Sequence, residues 1–160
     1  MIYTLDMLAQ ELEDLQLATF DYDVAWKLGS IMQTQASARS LPAAITVAHG
    51  TDVVFALLMP AATPDNTAWA ARKRAVAHRF HRSSLAMRLE AEQGGYDFNS
   101  RFRLPDSDFV ASGGGFPLML RGGTLIGTLG VSGLPDVEDH LLVTNALREL
   151  LDLDRPVASE

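Results

Sequence analysis

Ala111-Ser-Gly-Gly-Gly-Phe-Pro-Leu-Met-Leu-Arg-Gly-Gly-Thr-Leu-Ile-Gly-Thr-Leu-Gly-Val-Ser-Gly-Leu-Pro135 is the stretch whose reading decides the fold class. Phe116, Leu118 and Leu120 alternate with Pro117, Met119 and Arg121, Gly122-Gly123 supplies the positive-φ positions of a two-residue hairpin turn, and Leu125 to Val131 returns. The pattern predicts an antiparallel strand pair. Both strands are apolar at nearly every position apart from Gly127 and Gly130, so the sheet is expected to be covered on both faces or to keep one face for a partner. A glycine inside a strand admits a close neighbour, either backbone or ligand.

The exit corner, Ser132-Gly133-Leu134-Pro135-Asp136, ends the strand, turns and opens a helix with Asp139 in its first turn. Its N–H groups converge on one point, which can hold an anion or be capped by the corner's own side chains. The helix that follows, about Asp136 to Leu151, carries Val143, Leu147, Leu150 and Leu151 on one side. His140 shares that side. The positive helix end favours a neutral ring there, available to a hydrogen bond or a metal, and the alternative is a core histidine bonded to a backbone carbonyl. Residues 152–160 read as an acidic tail.

Upstream of the glycine stretch, Tyr96 to Asp108 alternates aromatic and charged residues, as a loop or short helix folded over the body does. Ser83-Ser84 caps a short helix from Leu85 to about Gln93, ended by Gly94-Gly95. Before it, Thr63-Pro64-Asp65-Asn66 is a strong helix opening, and the helix runs to about His81. At 100° per residue, Trp69, Val76 and Phe80 fall in one sector with Lys73 between them and Arg72 and Arg79 along the edge. Arg74, His78, His81 and Arg82 are then expected on the solvated side. An inward lysine either snorkels to the edge of the core or sits in a pocket, paired with a carboxylate or a ligand anion. His78 and His81 lack an acidic third ligand nearby in sequence, so no metal site is assigned to them.

The first half predicts two helices and a hairpin. Leu5, Leu8, Leu12 and Leu15 form a narrow stripe behind Thr4 as N-cap, with acidic residues between. A second helix spans about Asp21 to Ser40, with Val24, Leu28, Ile31 and Ala38 on one face and Trp26 roughly opposite, as either a subunit-interface residue or a partly covered surface one. Ala43 to His49 and Asp52 to Met59 form the hairpin, and the almost wholly apolar Val53–Met59 reads as a central strand.

With 160 residues the chain fits a single domain, 1–160, with 1–18 as an N-terminal amphipathic helix and 152–160 as the tail. No apolar run approaches the roughly 18 residues that span a bilayer. The start lacks a basic region followed by an apolar one, and the expectation is a cytoplasmic protein. The absence of cysteine excludes disulfides, thiolate metal sites and cysteine nucleophiles. The formal charge is −7, yet Arg72, Lys73, Arg74, Arg79 and Arg82 crowd together, leaving about −12 for the rest. A local positive field in an acidic protein suits a small anion or an acidic neighbour better than a nucleic acid.

Thr63-Pro-Asp-Asn66, Trp69, Arg72-Lys-Arg74, Arg79-Phe80, Ser83-Ser84, Gly113-Gly-Gly-Phe-Pro117, Gly127-Thr-Leu-Gly-Val-Ser-Gly-Leu-Pro135 and Glu138-Asp-His140 together resemble the UPF 0303 protein family, within the heme-degrading HbpS-like (GlcG-like) superfamily. The resemblance covers about residues 20–151. It implies an α+β fold, a profilin-like three-layer arrangement of about five antiparallel strands with helices on both sides, Phe109–Ser112 supplying one strand, and a symmetric homo-oligomer, a dimer or higher. The candidate ligand-binding set is Lys73, Arg72, Trp69, Asn66, Gly114, Gly115, Ser132, Gly133 and His140, with no metal site and no catalytic residue assigned.

Three functions compete. The first is an oligomeric module binding a small anionic ligand, heme or another anionic cofactor. The second is an oligomeric scaffold or adaptor using Trp26, the leucine stripe and the aromatic loop. The third is an enzyme of the heme-degrading type, for which neither a nucleophile–base pair nor a carboxylate pair is visible. No nucleic-acid or membrane partner is expected.

Overall fold

The computed structural model describes residues 2–153. Helices α1 (Leu5–Asp14) and α2 (Tyr22–Ala38) precede strands β1 (Ala44–His49) and β2 (Asp52–Leu58). Helices α3 (Pro64–Phe80), α4 (Ser84–Gly94) and α5 (Phe98–Phe102) follow, then β3 (Gly115–Leu120), β4 (Thr124–Ser132) and α6 (Asp136–Leu153). The residues that open these helices are the expected kinds. Thr4, Asp21, Ser83 and Asp97 each accept a backbone N–H from the residue three positions on. The Thr63 N–H donates to Asn66 Oδ1 at 2.9 Å. Of the expected acidic tail, Asp152 belongs to α6, and residues 154–160 lie outside the described ones.

The sheet has four strands in the order β2-β1-β4-β3, all neighbours antiparallel, rather than about five. Phe109–Ser112 is not the additional strand. Its backbone is engaged elsewhere: the Val110 N–H donates to the Arg72 carbonyl, and Asn99 Nδ2 donates to the Phe109 carbonyl. The turn between β3 and β4 also differs from expectation. Leu120 pairs with Thr124, so Arg121, Gly122 and Gly123 make a three-residue turn with both glycines at positive φ, next to a register shift at Leu118/Met119.

Strand alternation sorts the core. Ile45, Val47, Phe116, Leu118, Leu129 and Val131 pack with Leu28 and Met32 of α2 and Val143 and Leu147 of α6. The opposite face is built of small residues, and α3 lies directly on it. A Cβ added at Gly130 would stand 2.9 Å from the Ala70 carbonyl oxygen, and one at Gly115 only 2.3 Å from that of Lys73. Glycine at these two strand positions therefore sets the height of α3. The two outer strands differ in protection. Beside β3, Leu17 exchanges backbone bonds of 2.8 Å with Met119 and Arg121. β2, read from its composition as central, is instead an edge, because β1 takes β4 as its other neighbour. Val53, Val54 and Leu58 are exposed along it, and Trp26, 67% exposed, meets the Phe55 ring edge-on.

Candidate functional site

Helix α3 carries two consecutive cations with separate surroundings. Lys73 is buried, and its Nζ donates to Asp139 Oδ2 at 2.9 Å, to the Val131 carbonyl at 3.2 Å and to Ser132 Oγ at 3.3 Å. Three donors meet three acceptors. The other Asp139 oxygen accepts the Leu134 N–H at 3.1 Å, so the corner's N–H is turned onto a side chain of the corner's own helix. A Cβ at Gly114 would stand 3.2 Å from both Lys73 Cδ and Asp139 Cβ, and 2.2 Å from the Val131 oxygen. Burial pushes the Asp139 carboxyl up to about 6 against the pull of Lys73, and burial lowers the Lys73 ammonium.

Lys73, Gly114, Gly115, Ser132 and Gly133 of the expected set thus come together, joined by Asp139. Asn66 is held in the cap of α3. Arg72 stacks its guanidinium 4.3 Å above the Trp69 ring on the outer part of the helix, and its Nε donates to the Ala68 carbonyl. These three residues stand apart from the Lys73 pair. His140 follows Asp139 directly but belongs to another network: its Nε2 lies 2.9 Å from Glu11 Oε1, whose other oxygen accepts from Arg148 Nη2 at 3.1 Å. The Tyr3 ring meets His140 edge-on, and His140 Nδ1 is buried without a hydrogen bond. Glu11 is one of the acidic residues between the leucines of α1, and its spacing from Leu8 and Leu15 places it on their buried stripe.

Arg74 is the larger departure from expectation. It faces the sheet rather than solvent. The sector holding Val76 and Phe80 packs against Met87, Phe98 and Phe102, while the sheet receives the alanine side of α3, including Ala70 and Ala77. Arg74 Nη1 donates to Thr46 Oγ1, which itself donates to the Gly130 carbonyl at 2.9 Å. Burial alone lowers the Arg74 guanidinium from its ordinary value.

Beside Arg74 opens a cavity of about 510 Å³. It is lined by Ala48 and Thr128, paired across β1 and β4, by Gly50 and Thr51 of the turn after β1, and by Phe109. Along α3 it is lined by Ala71, Arg74, Ala75, His78 and Arg79. Among the described residues, no carboxylate forms an ion pair with Arg74, His78 or Arg79. The volume lies in the range of small-molecule sites. Apolar walls and uncompensated cations together suit an anion with an apolar body.

A family model described as haem degrading protein HbpS-like matches residues 20–148. A UPF0303 protein of Rhizobium meliloti is 40% identical over 147 residues, covering 92% of this chain and 90% of that one. A UPF0303 protein of Serratia proteamaculans is 37% identical over 152 residues, 95% of this chain and 94% of its own. Among solved structures, the Ybr137w protein superposes with a TM-score of 0.86 at 24% identity, covering 93% of this chain and 90% of that chain. PduOC in complex with heme superposes at 0.68 and 21% identity, over 82% of this chain and 94% of that one. HbpS does so at 0.66 and 17%, over 85% and 92%. The structural likenesses carry the fold.

Proposed function

The chain belongs to the HbpS-like family and is related throughout to UPF0303 proteins, and from that premise we propose that it binds a small anionic cofactor of the tetrapyrrole class in the cavity beside α3. The observation that carries this reading is the 510 Å³ cavity with three basic side chains and no carboxylate ion-paired to any of them among the described residues. PduOC, of the same fold, was solved with heme, which makes heme the first candidate. The donor set fits such a group. Arg74 and Arg79 suit its carboxylates, His78 offers an imidazole to a metal centre, and Phe109 with the alanines offers an apolar wall. A bound heme would supply the iron for redox or gas chemistry, and the protein's part is to bind, orient and shield it.

Under this reading the Lys73–Asp139 pair and its glycines form the frame that fixes α3, and the ligand meets the next residue, Arg74. The test is titration with hemin. The expected result is a saturable Soret shift at one hemin per chain, weakened at least about tenfold in Arg79→Glu. A linear, unsaturated response would remove tetrapyrroles from consideration.

A second copy of the chain is the partner that the bare apolar edge of β2 and Trp26 favour. Unpaired strand edges of this kind template pairing with another chain, and a two-fold arrangement would present the same strand on both sides.

A further inference from the structure

Arg74 differs from the other cations of the cavity in how it is held. Its stem crosses Gly130, where an added Cβ would stand 2.6 Å from Arg74 Cγ, so any side chain at that position would displace it. Thr46 spends its single proton on the Gly130 carbonyl and turns oxygen lone pairs towards the guanidinium. The group is thereby fixed by one of its five N–H donors. No carboxylate among the described residues pairs with it, and Arg74 is part of the cavity lining.

A half-buried cation without a counter-ion is costly to keep, and a fixed fork of donors matches two oxygens of one anionic group. We infer that Arg74 is the specificity anchor of the cavity, gripping a carboxylate or phosphate group of the ligand in a two-point contact, with Thr46 as its positioning residue. This rests on the reading of the cavity as the ligand site and adds the part of the ligand that is recognised. Arg79 adds charge at the same cavity, but neither it nor His78 has the Thr46–Gly130 brace. Lysine is not an equivalent at position 74, because a single ammonium replaces the fork with a point charge.

The experiment compares hemin with hemin dimethyl ester, whose carboxylates are blocked, on the wild-type chain and on Arg74→Lys and Thr46→Val. Thermal stability is measured in parallel with added phthalate or pyrophosphate. The expected result is hemin binding at least about tenfold tighter than the ester, a loss of about tenfold or more for hemin in Arg74→Lys, and a smaller loss in Thr46→Val. The ester's affinity should be nearly unchanged in both variants.

Equal binding of hemin and its ester by the wild-type chain overturns the inference while leaving the tetrapyrrole reading intact, and this arm needs no variant to fold. If hemin fails to bind but phthalate or pyrophosphate raises the melting temperature, and Arg74→Lys abolishes the rise, the anchor stands and the tetrapyrrole reading falls. A response to phthalate alone assigns a carboxylate, and one to pyrophosphate alone a phosphate. No response to hemin or to either anion overturns both.

Discussion

Lys73 and Arg74 are neighbours in sequence with opposite situations: one ammonium fully paired within the protein, one guanidinium braced by a hydroxyl and without a carboxylate partner among the described residues. Removing one member of a buried pair strands the other charge. Lys73→Met should lower the unfolding free energy by about 3–5 kcal/mol, and Lys73→Met/Asp139→Leu should regain most of it, as read by urea denaturation. The pH dependence follows from the raised Asp139 carboxyl. Its folded value near 6 lies above the ordinary 3.8, so between these values the native state holds more of the proton than the unfolded state. Its contribution to stability is therefore present below about pH 4 and is lost as pH rises through 6. The wild-type chain should lose stability relative to Asp139→Asn across that window, and a rise instead would contradict the assignment. The inward lysine was legible from helical spacing, whereas its partner lies 66 residues away and only the glycine corner pointed near it. Arg74 was misread because alanines, which bring α3 onto the sheet, weigh little beside Trp69, Val76 and Phe80 when an apolar face is drawn.

At the scale of elements, the strand–turn–strand–corner–helix run of 111–135 was legible because its glycines and alternation are local signals. What composition could not supply was the order of strands. β2 is as apolar as a central strand yet lies at the edge, and Phe109–Ser112, expected from the resemblance to pair, is held by Arg72 and Asn99 instead. Gly130 offers the clearest test of the contact between α3 and β4. Gly130→Ala inserts a methyl against the Ala70 carbonyl and the Arg74 stem, and should cost about 1–3 kcal/mol while also weakening hemin binding. Gly122→Ala, at positive φ with open space around its Cβ, should cost about 1 kcal/mol and leave binding unchanged. Equal effects of the two substitutions on binding would detach the cavity from the height of α3.

Among the described residues, the three layers bury one sheet face under α2 and α6 and place α3 on the other, with β2 as an outer strand that no further strand pairs. No helix among the described residues is long and apolar enough to cross a membrane. Native mass spectrometry should find a homo-oligomer, and Val54→Lys/Leu58→Glu should reduce it to smaller species without unfolding the chain, since both side chains are already exposed. The cavity beside α3 has a rival of about 320 Å³ between α1 and α6, lined by Glu11, Asp14 and Arg148 among others. Hydrogen–deuterium exchange with and without hemin distinguishes them most directly. The account predicts slowed exchange in residues 71–79 of α3, in the 49–51 turn and around Phe109, with α1 unchanged. Protection confined to α1 and α6, or none anywhere at saturating hemin, would contradict it.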